Sequence, residues 1–126
     1  MKLRFYIEYA GISFLDEIFR VLSWESSQGV GAAIGAAATV LMGKRWKMTL
    51  KNLEAAFPEK SAEEREAIGL EAWRDAGRIG AEFFKSRHLS SEELRRIVRV
   101  ENMELCDRLF KEGKGIIVNI GHMGNW

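Results

Sequence analysis

The charge-free stretch Ser26–Gly43 most constrains what this chain can fold into, because it is rich in alanine and glycine and carries no ionisable side chain. Within it, Gly31 and Gly35 form a G-x-x-x-G motif, and Thr39 continues the same four-residue step. Small residues at this spacing let two helices approach closely. The stretch approaches the roughly 20 residues that a membrane span needs, but it is only weakly apolar. It therefore predicts either a helix packed within the protein or one embedded in, or lying at, a membrane.

The residues before this stretch predict an amphipathic helix. Acidic residues, among them Glu8, interrupt the apolar run, so the N-terminus is not a clean secretory signal. From Gly11 onward, apolar residues recur at the spacing of one helix face. These residues are Ile12, Leu15, Phe19 and Leu22.

Basic residues follow the charge-free stretch directly, and no acidic residue lies between Glu25 and Glu54. The cluster consists of Lys44, Arg45, Lys47 and Lys51. A basic cluster beside an apolar helix is attracted to an anionic cytoplasmic leaflet, while the alternative is an ordinary solvated helix face. We divide the chain at this point. Residues 1–43 are predicted to be an amphipathic, apolar, membrane-associated segment, and residues 44–126 the first part of a further domain.

Local signals predict two helices in the middle of the chain. Pro58 ends a helix that begins near Gly43, because the residue before a proline avoids the helical conformation. Ser61 begins a capping box that starts a second helix, which ends near Arg87. That helix contains Gly69, Gly77 and Gly80, which we expect to mark places where another backbone passes close by.

The last third of the chain predicts a strand, a helix and a second strand. Ser90 begins a short helix with another capping box. Residues 97–100 are short and β-branched, Asn102 can cap a helix that stops at Gly113, and residues 116–120 form the clearest strand pattern. Such a βαβ unit belongs to a parallel sheet. The predicted fold class is therefore α/β, with a helical N-terminal half that leads into the start of a sheet.

Composition excludes several function classes. The chain has 126 residues, 19 basic and 18 acidic, and this balance argues against a nucleic-acid binder. Its single cysteine excludes an internal disulfide and multi-cysteine metal sites. We expect neither a metal nor a cofactor.

His122 is the candidate catalytic residue. It follows the predicted strand 116–120, and ligands bind beyond the carboxyl ends of strands in open α/β sheets. A histidine there suits general acid–base chemistry, although it can equally cap a helix. Gly124 permits a tight turn, Asn125 can donate a hydrogen bond, and Trp126 can form a wall of the site.

Two motifs resemble the bacterial lipid A biosynthesis acyltransferase family. The first is His122-Met123-Gly124-Asn125-Trp126, which is similar to the start of the family's H-x-x-x-x-D/E motif. The second is Asn52-Leu53 followed by Phe57-Pro58-Glu59, which is similar to the family's NL…FPE segment. The resemblance implies a glycerolipid-acyltransferase-like α/β sheet and an acidic residue directly after Trp126. It also implies that these residues are an N-terminal fragment of a longer enzyme, inactive by itself.

The resemblance further implies a reaction and a location. A fatty acyl chain would pass from an acyl carrier protein thioester to a hydroxyl of a lipid A precursor, with His122 as the base, in lipopolysaccharide biosynthesis. The enzyme would act at the cytoplasmic face of the inner membrane, and the basic cluster at residues 44–51 would contact that membrane or the carrier protein. Two alternatives stay open: a related acyltransferase with another glycolipid acceptor, and a non-catalytic protein that binds a membrane or a partner.

Overall fold

The computed structural model describes residues 2–121 and 124, with the backbone alone at Lys2, and this part of the chain forms six helices. They are α1 (Lys2–Val21), α2 (Trp24–Leu41), α3 (Gly43–Ala56), α4 (Ala62–Ser86), α5 (Ser91–Ile97) and α6 (Met103–Lys111). The chain divides into two compact units. The first, Met1–His88, contains α1 to α4, and the second, Leu89–Trp126, contains α5 and α6.

Hydrogen bonds at the helix ends confirm both predicted capping boxes. The Ser61 hydroxyl accepts a bond from the backbone N–H of Glu64, whose carboxylate accepts one from the Ser61 N–H at 2.7 Å. Ser90 and Glu93 repeat this arrangement at the start of α5. Each pair provides partners for backbone donors that have none within the helix, which fixes where the helix begins.

Asn102 precedes α6 as predicted, but its side chain makes no capping hydrogen bond. Its backbone instead has a positive φ of 56°, a conformation that asparagine tolerates better than most residues. Gly113 follows the end of α6 with a φ of 67°, which confirms it as a helix stop.

The first unit is built around a close crossing of α2 and α4. Gly31 and Gly35 are buried and face Gly77, so that a Cβ atom added to Gly31 would lie 2.5 Å from the Gly77 carbonyl oxygen. The G-x-x-x-G motif is thus used for packing within the protein. A Cβ on Gly69 would lie 3.0 Å from the Trp46 ring of α3, so the close neighbours of this glycine are side chains rather than the predicted backbone. Gly80 has no close neighbour, since no atom would lie within 4 Å of its Cβ.

Helix α1 is attached to the C-terminal end of α4 through one end only. Phe19 is 2% exposed and stacks on Phe84, with ring centroids 5.7 Å apart. The Lys85 ammonium donates hydrogen bonds to the carbonyl oxygens of Arg20 and Leu22, at 3.1 and 2.6 Å. These contacts confirm the apolar face predicted for the C-terminal half of this helix. Ile12, the first residue of that predicted face, is exposed.

Within the described part of the chain, no helix combines the length and apolar character required to cross a membrane.

The predicted α/β fold class is wrong for this structure. Residues 2–121 and 124 contain no strand: Ile97 is the last residue of α5, and residues 98–100 and 116–120 are neither helix nor strand. A β-branched run favours a strand only where a neighbouring segment pairs with its N–H and C=O groups, and no such ladder forms among these residues. The side chain of Ile117 is fully exposed, at 100%.

Candidate functional site

The predicted catalytic motif lies mostly outside the described residues. His122, Asn125 and Trp126 belong to the part that the structure does not describe, so their roles stay predictions. Gly124 is described: it is exposed, lies in a bend and has a φ of 65°. Glycine adopts this left-handed conformation without strain, whereas a residue with a side chain rarely does. The glycine in this motif is therefore suited to a sharp change of chain direction.

The segment Gly113-Lys114-Gly115, which precedes the motif, shows the same feature. Both of its glycines have positive φ, 67° and 81°. Two residues without a side chain therefore adopt left-handed conformations between the end of α6 and the apolar run 116–120. Neither glycine has an atom within 4 Å of the position of an added Cβ, so backbone conformation and not crowding explains them.

The basic cluster lies on the first three turns of α3. Lys44, Lys47 and Lys51 follow one another at helical spacing and share one exposed face, which we call the α3 basic stripe. Arg45 is also exposed and lies beside the stripe. Among the described residues, none of the four has an ion-pair partner. The stripe therefore presents positive charges to solvent that are not held in ion pairs.

Contacts on the opposite face of α3 explain why the lysines point outward. Trp46 packs edge-to-face against Trp73 of α4, with ring centroids 6.3 Å apart. The Trp73 indole N–H donates a hydrogen bond to the Thr49 hydroxyl at 3.0 Å. Trp46 and Leu53 both lie against Gly69, where an added Cβ would be 3.0 and 3.1 Å from their side chains. These contacts fix the rotation of α3 about its axis and thereby the direction of the basic stripe.

An open groove of about 330 Å³ lies between α3 and α4 and has a mixed charge. Its lining residues are Lys47, Leu50, Lys51, Glu54, Ala62, Arg65 and Glu66. The Arg65 guanidinium donates to the carbonyl oxygen of Lys60 at 2.7 Å and reaches that of Phe57 at 3.4 Å. Arg65 thus holds the turn that contains the Phe57-Pro58-Glu59 motif. The sequence analysis missed this role, since no local pattern marks an arginine that reaches back to an earlier turn.

A polar contact joins α2 to α4 near the glycine crossing. The Gln28 amide donates a hydrogen bond to the Glu82 carboxylate at 2.9 Å, and both side chains are partly buried. Ser27, beside it, is fully buried and donates to the Ser23 carbonyl oxygen at 2.8 Å. These bonds satisfy polar groups within the helix pair, which indicates a structural role.

A charged network lies further along α4. Arg78 bonds to Glu71 at 2.7 Å and also to Asp75, and Arg74 bonds to Glu71 at 3.3 Å. The Arg78 guanidinium, with a smaller effect of Arg74, lowers the pKa of Glu71 below its ordinary value of 4.5. Neighbours three or seven positions apart on one helix explain this network without a ligand. We assign it no part in the candidate site.

Comparison with known proteins identifies the family. The family model described as "Bacterial lipid A biosynthesis acyltransferase" matches residues 1–126. The chain belongs to this family. The resemblance inferred from the two motifs is thereby confirmed.

Two curated relatives of the family are similar to this chain. They are a lipid A biosynthesis palmitoleoyltransferase from Escherichia coli (strain K12) and a lipid A biosynthesis acyltransferase from Shigella flexneri. Each is 32% identical over 89 residues, which cover 71% of this chain and 29% of the relative. The match thus spans less than a third of the length of either relative. No solved structure matches the chain significantly.

Proposed function

We propose that this chain serves in the transfer of a fatty acyl group from an acyl carrier protein thioester to a hydroxyl of a lipid A precursor. The observation that carries the proposal is the family match over residues 1–126. The names of both curated relatives, which specify lipid A biosynthesis, support the same acceptor class.

His122 acts as the general base in this proposal. Its imidazole takes the proton of the acceptor hydroxyl while that oxygen attacks the thioester carbonyl carbon. The tetrahedral intermediate then collapses, an ester bond forms, and the carrier leaves as a thiol that receives a proton from the imidazolium. A carboxylate in the family's H-x-x-x-x-D/E motif orients the imidazole and stabilises its charged form. Gly124, with its positive φ, lets the chain turn between these two groups.

We also propose that the protein works at the cytoplasmic face of the inner membrane, where the acceptor lipid is held. Residues 3–14 of α1 support contact with a membrane. Their side chains are largely apolar and aromatic, and most of the surface of each is exposed, as for Phe5, Tyr9 and Phe14. A helix that is apolar on several faces requires an apolar environment, and a lipid interface provides one.

The test is acyl transfer by the His122→Ala variant. We expect loss of transfer from an acyl carrier protein thioester by about 10²–10⁴-fold, the usual contribution of a general base, with unchanged helicity and unchanged membrane binding. His122→Gln serves as a second variant of closer shape. Transfer at the original rate by both variants would contradict the proposed mechanism.

The same assay addresses the alternatives. A mannosylated phospholipid offered in place of the lipid A precursor tests the other acceptor class. The 126-residue chain assayed alone tests the expectation that it is inactive by itself. If membrane binding persists but the protein transfers no acyl group with any donor and acceptor, the result supports the alternative of a non-catalytic, membrane-binding protein.

A further inference from the structure

The corner at which α2 ends and α3 begins, residues 40–45, exposes apolar side chains to solvent; we call it the α2–α3 corner. Val40 is 83% exposed and Leu41 is 84% exposed, and Met42 is also exposed. The two glycines of the G-x-x-x-G motif in the same helix are buried against α4, whereas these three residues lie beyond that crossing and carry the largest exposed apolar side chains of its C-terminal end. Exposed apolar residues at one tip indicate contact with an apolar partner.

Positive charge surrounds this apolar tip. Lys44 and Arg45 follow it at once, and the α3 basic stripe continues from it over a distance of about 10 Å along the helix axis. A shallow cleft of about 360 Å³ at the corner is lined by both kinds of residue. Its lining consists of Leu41, Met42, Gly43, Lys44 and Arg45. Both charged residues that line this cleft, Lys44 and Arg45, are basic.

We propose that the α2–α3 corner is a lipid-contacting surface, in which Val40, Leu41 and Met42 enter the acyl-chain boundary of an anionic leaflet. Lys44 and Arg45 would lie at the level of the headgroups, with their alkyl stems along the apolar boundary and their charges near lipid phosphates. This inference deepens the proposed function, since it assigns the basic cluster to the membrane that holds the acceptor.

An acidic protein is the less suitable occupant. It would pair with the lysines of the α3 basic stripe but would leave Val40 and Leu41 against a charged surface. An anionic bilayer supplies negative headgroups and an apolar layer within a few ångströms of each other. The basic side chains of the corner match the headgroup layer, and its exposed apolar side chains match the apolar layer.

The first experiment measures binding of the whole chain to vesicles of neutral phosphatidylcholine, with and without anionic phosphatidylglycerol. In Lys44→Gln/Arg45→Gln we expect about 25-fold weaker binding to the anionic vesicles, because each basic side chain near such a surface contributes about fivefold. The matched control, Lys60→Gln/Arg87→Gln, removes the same charge from residues of the same compact unit that lie away from the corner, and it should bind as the original chain does. All variants keep α1 unchanged, so its apolar surface contributes equally to each.

The second experiment locates the corner relative to the bilayer. A fluorophore is attached at Leu41→Cys in a Cys106→Ser background and exposed to a quencher carried on lipid acyl chains. Ala76→Cys, at an exposed position on α4, is the control. We expect the label at position 41 to be quenched and the label at position 76 to be unaffected. Equal quenching at the two positions would overturn the proposal.

The outcomes also separate this proposal from the proposed function. If Lys44→Gln/Arg45→Gln binds anionic vesicles undiminished, the lipid proposal is wrong, and weaker binding of an acyl carrier protein by the same variant would identify the corner as a protein-docking surface. If His122→Ala still transfers acyl chains while the vesicle results hold, the catalytic proposal fails and the lipid-contacting surface stands.

Discussion

Because α2 and α4 cross so closely, we predict that one methyl group added at Gly77 destabilises the fold. In Gly77→Ala, the new Cβ would lie 2.9 Å from both the carbonyl carbon of Gly31 and the backbone nitrogen of Gly35, and closer still to the Gly31 carbonyl oxygen. Ordinary van der Waals contact begins at 3.4 Å. All three atoms belong to a backbone, so no side chain can rotate away. The helices must move apart instead.

The magnitude follows from two opposing effects. Overpacking of this kind costs typically about 1–3 kcal/mol, and rigid backbone neighbours place Gly77→Ala near the upper end. Alanine gains about 1 kcal/mol over glycine inside a helix. We therefore expect a net loss of about 2 kcal/mol in the free energy of unfolding. Gly80→Ala, on the same helix with nothing within 4 Å, should gain about 1 kcal/mol.

Both variants are unfolded with urea and with heat, and the circular dichroism of the helices monitors unfolding. The expected difference of about 3 kcal/mol corresponds to roughly 10 °C in Tm for a chain of this size. If Gly77→Ala is as stable as Gly80→Ala, the two helices do not cross at this distance, and the account of the G-x-x-x-G motif as a packing motif is refuted.

Two further predictions concern α4. Trp73→Phe should lower the free energy of unfolding by about 1 kcal/mol or more in denaturant titrations, since it removes the hydrogen bond to Thr49, and Thr49→Val should abolish most of the difference between Trp and Phe. Arg78 holds the pKa of Glu71 below 4.5, so this carboxylate stabilises the fold above its ordinary pKa, and that stabilisation is lost as the pH falls through the lowered value. Glu71→Gln should therefore show a shallower loss of stability on acidification; identical profiles would contradict this role.

Signals that act within one turn of the chain are the ones that could be predicted from sequence. The Ser61 and Ser90 capping boxes and the Gly113 stop each depend on residues within about four positions, so the structure reproduces all three. Gly77 and Gly80 show the limit of such reasoning. They lie in the same helix with the same local propensity, yet only Gly77 faces another backbone, because that property depends on where α2 crosses.

The two predicted strands fail for a related reason. A β-branched run such as residues 116–120 can form a strand when a neighbouring strand is present as a partner. The hydrogen bonds that complete the strand come from residues distant in sequence. None of the residues described here supplies that partner, and Ile117 stays fully exposed. In the candidate site, the sequence correctly predicted that the basic residues 44–51 lie on one helix. It could not foresee that Trp46 and Trp73 would set the direction in which the stripe points.

The two interpretations of the charge-free stretch, protein packing and lipid contact, describe different parts of one helix. Gly31 and Gly35 leave no room for lipid, because the backbone of α4 already lies where their Cβ atoms would be. The last residues of α2, Val40 and Leu41, lie beyond that crossing and are largely exposed. This explains why the stretch is only weakly apolar. Small residues allow the close crossing with α4, and large apolar residues occur where the helix is exposed. The proposed lipid contact therefore needs neither a longer helix nor a more apolar one: it uses only the residues that the packing with α4 leaves uncovered.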